Sequence, residues 1–130
     1  MTIDEYISNV KERLLSDDTV VRFHIVRERT TSSDGHLRVR AFLVSENHLD
    51  FSEYIRRLPD GRIVIVTYSY HWSNENRILV CRWDNAFHHP TVPNFPHHIH
   101  CGGENIIQPG EPIDVFTILD IIRAAINLKL

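Results

Sequence analysis

Nine histidines are distributed unevenly along the chain, with six of them between His71 and His100. Five of those six, His88, His89, His97, His98 and His100, fall within thirteen residues. Pro90, Pro93 and Pro96 recur every third residue through this stretch, which favours an extended loop poor in backbone hydrogen bonds. Imidazole exchanges protons near neutral pH and ligates metals. Arg82 and Asp84 precede the loop directly, so a bidentate phosphate clamp and a carboxylate able to hold a histidine tautomer lie next to it.

Three chemistries fit these residue types. The blandest is a solvated His/Pro-rich loop. The second is a metal site using His88, His97, His98 and His100, since zinc takes nitrogen donors tetrahedrally. No HExxH, CxxC or facial triad supports it, and Cys101 is the only thiol close by. The third is metal-independent acid–base chemistry on RNA. Attack by a 2′-hydroxyl needs a base, an acid for the leaving 5′-oxygen and a cation on the phosphorane. His71, Arg82, Asp84, His88, His97, His98 and His100 are the candidate catalytic residues for it, and it requires no cofactor, with a divalent metal such as zinc as the alternative.

The elements that must position these residues are legible in the pattern. Thr2 and Glu5 form a capping box, and Ile3, Tyr6, Ile7, Val10 and Leu14 follow at helical spacing, predicting a helix over residues 3–16. Segments 20–29, 37–45, 49–57, 62–72 and 77–85 are rich in β-branched and aromatic residues and are separated by turn-like sequences. Short connections imply antiparallel neighbours. Residues 105–108 are read as a short further strand. Pro112 and Asp114 open a last helix whose Val115, Ile118, Leu119, Ile122 and Ile126 form an apolar stripe. The expected fold is α+β: a meander of about five antiparallel strands, an N-terminal and a C-terminal helix on one face, and the histidine loop after the fifth strand. Phe116, Ile121 and Leu128 make the last helix apolar over much of its circumference, which suggests a homodimer.

Pairing the residues that flank each turn assigns the faces. Phe23, Ile25, Phe42, Val44, Leu49, Phe51, Val64, Val66, Tyr68, Tyr70, Leu79, Cys81 and Trp83 are expected on the helix-covered face. That register also places Arg27 and Arg29 there, opposite Arg40 and Arg38, with Glu53 offering relief to Arg40. These arginines are read as solvated side chains, with an anion or acidic-partner patch as the functional alternative. Val26, Val39, Leu43, Ile63, Ile65, Ile78 and Val80 are expected on the other face, with Asp50, Ser52, Thr67, Ser69, His71, Arg82 and Asp84.

With 130 residues, 42% of them hydrophobic and 24% charged, the chain is read as one globular domain, 1–130. No apolar run approaches a membrane span, because Asp120, Arg123 and Lys129 interrupt the most apolar segment, 115–130. The first residues lack a secretory-signal pattern. Cys81 and Cys101 are too few for a disulfide framework and too far apart for a CxxC pair, so a reducing cytoplasm is the default. A net charge of −3 argues against binding nucleic acid by bulk charge, although twelve of the fourteen cations are Arg.

The segments Tyr68-Ser69-Tyr70-His71-Trp72, Arg82-Trp83-Asp84-Asn85-Ala86, His88-His89-Pro90 and Phe95-Pro96-His97-His98-Ile99-His100 together resemble the TumE-like family of bacterial toxin–antitoxin modules. The motifs cover residues 68–100, and His71, Arg82, Asp84, Asn85, His88, His97, His98 and His100 match them. The resemblance implies a toxin neutralised by a helix-turn-helix antitoxin from an adjacent gene, with RNA as the target.

Overall fold

The structure, a computed structural model, describes residues 1–86, 94–102 and 107–128. Helix α1 (Ile3–Ser16) starts at the capping box read from the sequence, where Thr2 and Glu5 satisfy each other's backbone N–H groups. Strands β1 (Val20–Thr30), β2 (Asp34–Leu43), β3 (His48–Arg57), β4 (Ile63–Ser73), β5 (Leu79–Asp84), β6 (His98–Cys101) and β7 (Ile107–Pro109) follow, and α2 (Val115–Leu128) closes the chain. The strands form one antiparallel sheet in sequence order. Both helices share one core with the sheet, built on Ile3, Ile7, Val10 and Leu14 of α1 and Val115, Ile118, Leu119, Ile122 and Ile126 of α2. Gly35 lies where α1 meets β2, and a Cβ there would stand 2.7 Å from the Ile3 side chain.

The fold class is as expected, but the sheet has seven strands rather than about five. The added β6 lies in the stretch read as irregular, where four residues after a run of prolines carry little local strand signal. Of the short strand expected at 105–108, residues 107 and 108 fall in β7, and 105 and 106 lie outside the described residues.

The face assignments need correcting where strands bulge. Strand β2 turns Leu37, Val39, Ala41 and Leu43 inward, all buried, so Val39 and Leu43 belong to the core rather than the outer face. Phe42 faces outward, and Val44 lies in a single 3-10 turn. On β4, Val66 is an extra residue between Thr67, opposite Tyr54, and Ile65, opposite Ile55. One extra residue reverses the parity, so Ile63 and Ile65 pack on the core in place of Val64 and Val66. On β1 the extra residue is Val26, which pairs Arg27 with Arg38 and Arg29 with His36 on the outer face. Arg40 stands between His24 and Asp50, and Glu53 is in the core, opposite Leu37.

Cys81 and Cys101 are directly opposed on β5 and β6 and form a disulfide. Too few for a framework and too far apart for a CxxC pair, they are brought together because strand pairing joins residues 20 apart in sequence. The apolar stripe of α2 is buried on this chain's own sheet, and Ile121 remains 38% exposed. None of the described helices is long and apolar enough to cross a membrane.

Candidate functional site

The outer face, opposite the helices, gathers polar side chains in cross-strand rows because opposed residues share a face. One row runs Asp50, His71, Arg82, His100 over β3–β6. The next runs Ser52, Ser69, Asp84, His98. Five of the candidate catalytic residues, His71, Arg82, Asp84, His98 and His100, therefore stand together. Sequence parity placed the first three on this face, and only the pairing of β6 with β5 adds the two histidines.

Arg82 holds the rows together. Its Nε donates to Asp84 Oδ2 at 3.0 Å and its Nη2 donates to His100 Nε2 at 3.0 Å. A guanidinium can only donate, so His100 Nε2 accepts, and the His100 proton sits on Nδ1. His98 Nδ1 lies 2.9 Å from the Pro96 carbonyl, which can only accept, so this nitrogen is protonated. His98 Nε2 lies 2.7 Å from Asp84 Oδ1, a contact that is an ion pair when the ring carries both protons. Asp84, His98 and His100 are buried, at 6%, 2% and 2% exposure, whereas the Arg82 side chain is a quarter exposed. The carboxylate thus balances a guanidinium and a histidine inside a poorly solvated cluster, where charge-assisted contacts are strongest.

His71 is half-buried and lines an open pocket of about 380 Å³ with Arg38, Asp50, Ser52 and Ser69. An adjoining pocket of about 390 Å³ shares Ser52 and Ser69 and reaches Arg82, Asp84 and Asn85. The two make one groove floored by small hydroxyl side chains.

His97 points to the other face of the sheet. Its ring stacks on Tyr68 at 5.8 Å, and its Nδ1 shares a 2.8 Å hydrogen bond with the Tyr68 hydroxyl. Burial, then the nearby Asp84 charge, push that hydroxyl up to about 12, so it stays protonated at physiological pH. His88 lies outside the described residues. Asn85, also in the shared motif, ties backbone segments together. Its Nδ2 donates to the Val66 carbonyl and its Oδ1 accepts from Tyr68 N–H, bridging the β4 bulge.

The three ligand atoms of Asp84, His98 and His100 lie within 4.8 Å of one another, so this cluster rather than the loop set could hold a cation among the described residues. Sequence reasoning left Asp84 out of the metal set. It also put Arg27, Arg29, Arg38 and Arg40 on the wrong face, although the strict alternation His36-Leu37-Arg38-Val39-Arg40-Ala41 was a readable signal for β2.

No curated protein and no solved structure matches the chain. The family model described as Toxin TumE matches residues 10–128, which takes in every strand, both histidine-bearing rows and α2. The match covers nearly the whole chain, and the chain belongs to the TumE toxin family.

Proposed function

We propose that this toxin is a small ribonuclease that cleaves RNA through the substrate's own 2′-hydroxyl, using histidine and arginine without a metal. The observation that carries this reading is the row His71–Arg82–His100, a cation between two histidines; His100 Nε2 can transfer a proton once Arg82 Nη2 turns from it to the substrate phosphate. In the reaction, one histidine removes the 2′-hydroxyl proton and O2′ bonds to phosphorus. The P–O5′ bond breaks, and the other histidine supplies the proton that O5′ takes. The products are a 2′,3′-cyclic phosphate and a 5′-hydroxyl. Arg82 brings its guanidinium charge to where negative charge gathers on the phosphorane. Asp84 holds Arg82 through Nε, and His98 supports Asp84 from the next strand.

A toxin of this family works beside an antitoxin, and the partner proposed is a helix-turn-helix protein from the neighbouring gene, in the cytoplasm. The homodimer expected from the apolar last helix stays part of the proposal: the stripe packs inside the chain, while Ile121, outside that stripe, is 38% exposed.

A second reading is favoured by one observation, the three clustered ligand atoms of Asp84, His98 and His100, which suit a zinc-like ion. Arg82 weighs against it, because the guanidinium already occupies the open side of Asp84 Oδ2 and His100 Nε2. A cation bound there would face another cation at contact distance.

End-labelled RNA incubated with purified protein, with and without EDTA and beside Arg82→Gln, separates these readings. Cleavage that survives EDTA, disappears in the variant and leaves 2′,3′-cyclic ends is the expected result. Cleavage lost with EDTA, together with stoichiometric metal by elemental analysis, transfers Asp84, His98 and His100 to a metal centre. Intact RNA in every lane ends the ribonuclease reading.

A further inference from the structure

We infer that the outer face of β1–β3 is a track along which a single RNA strand is led into the groove, an inference that rests on the ribonuclease reading above. The chain is acidic overall, at −3, yet its cations are not evenly spread. Arg22, Arg27, Arg29, Arg38, Arg40 and Arg56 all face outward on these three strands, by their register with Phe42, Ser52, Asp50 and Asp34. Two aspartates share that face and are already paired, Asp34 with Arg29 and Asp50 with Arg40.

The bulge at Val26 creates this face. With unbroken alternation, Arg27 and Arg29 would follow Phe23 and Ile25 toward the helices; the extra residue turns them outward. Arg27 and Arg38 then stand directly opposite each other, both exposed, and neither has an ion-pair partner among the described residues. Like charges opposed across a ladder are unfavourable. An arrangement that costs folding energy at this point suits an anionic ligand. His36, between these arginines, is held below the usual histidine range, by burial first and then by the charges of Arg27, Arg29 and Arg38.

The geometry distinguishes a nucleic-acid strand from an isolated anion. Arg38 lines the same pocket as Ser52, Ser69 and His71, and that pocket continues to Arg82 and Asp84. From β2 to β6 the face spans about four inter-strand steps, roughly 19 Å, or about five phosphates of a helical strand. Aromatic surface is interleaved with the charge: Arg22 lies 4.2 Å over the Phe42 ring, which meets His48 edge-on, and Arg56 lies 5.9 Å from the Tyr54 ring centroid. Arginine with aromatic rings binds strand and base together. The acidic residue of β1, Glu28, is turned to the other face, where it pairs with Lys11 of α1.

The test uses intact protein and a short fluorescein-labelled single-stranded RNA, 2′-O-methylated throughout so that it cannot be cleaved. Arg27→Gln and Arg38→Gln should each weaken binding by about 3–10-fold and reduce the slope of log K against log salt by about 0.7. Thermal stability should not fall, because each substitution removes a like-charge opposition. Cleavage of a dinucleoside monophosphate, too short to reach Arg27, should be unchanged in Arg27→Gln, which lies outside the groove lined by Arg38 and His71. Unaltered RNA affinity and salt slope in both variants overturn the track. So does an equal loss of dinucleotide cleavage in Arg27→Gln, which would mean that this arginine acts in the site or the fold. Variants that keep RNA affinity but lose the antitoxin overturn it too, assigning the face to a protein. Wild-type protein that binds the methylated RNA with arginine-dependent slope, yet cleaves neither unmodified RNA nor the dinucleotide, retains the track and sinks only the ribonuclease reading.

Discussion

Arg82 Nη2 donates to His100 Nε2 across the β5–β6 pair at 3.0 Å, which leaves the His100 proton on Nδ1 and ties a neutral imidazole to a cation. The same guanidinium reaches Asp84 through Nε, so both contacts depend on a planar, multi-donor group. Arg82→Lys keeps the charge and loses the fork. RNA cleavage should fall by about 100-fold or more, in the range seen when a preorganised transition-state donor is lost. The melting temperature should change by only a few degrees, since Arg82 is partly solvated. A Lys variant of wild-type activity would show that charge alone suffices and that the fork is incidental.

His98 behaves differently because it is buried. His98→Ala removes the ring from between the Pro96 carbonyl and Asp84 and leaves a buried carboxylate with one partner fewer. Losing one partner of a buried charged pair costs about 3–5 kcal/mol, discounted here because Arg82 remains, so about 2–4 kcal/mol is expected in urea unfolding. Loss of toxicity in this variant would therefore report folding as well as chemistry. A urea midpoint equal to wild type would show that His98 is not structurally engaged.

Glu53 predicts a pH effect on stability away from the site. It is 1% exposed, and accepts from Tyr6 and Tyr70 hydroxyls, both at 2.6 Å, and from Val115 N–H at the start of α2. Burial raises its carboxyl above the ordinary 4.5 by more than these three donors lower it. The folded state therefore holds the proton more tightly than the unfolded one. The Glu53 contribution is fully present below about pH 4.5 and declines as pH rises from there through the folded value. Glu53→Gln, which keeps an acceptor and the shape, should flatten that decline in unfolding experiments run from pH 4 to 8. An unchanged pH profile in the Gln variant would exclude Glu53 as its source.

The Cys81–Cys101 disulfide clips β5 to β6, the strands that carry Arg82, Asp84, His98 and His100. Closing a loop of this length stabilises by about 3 kcal/mol in the chain-entropy account. Reduction with dithiothreitol, or Cys81→Ser with Cys101→Ser, should lower stability by about that amount and reduce cleavage more than it reduces binding to the RNA track. Equal activity in reduced and oxidised protein would show that strand pairing alone holds β6 in register.

Local signals settled much of this protein without the fold. The capping box and apolar spacing define α1, alternating β-branched and aromatic runs locate five strands, and the Ser69/His71 and Arg82/Asp84 parities put half the site on one face. Each depends on neighbours a few residues apart. The tertiary structure decided what parity and distance could not. Single extra residues at Val26 and Val66 reset a two-residue period and sent Arg27 and Arg29 outward and Ile63 and Ile65 inward. Strand β6, too short to announce itself, exists by pairing with β5, and that pairing brings His98 and His100 to Asp84 and Arg82 and joins Cys81 to Cys101. Glu53 looks in sequence like a surface partner for arginine. It is buried because α1, β4 and the start of α2 converge on it from distant parts of the chain, supplying donors that no local pattern encodes.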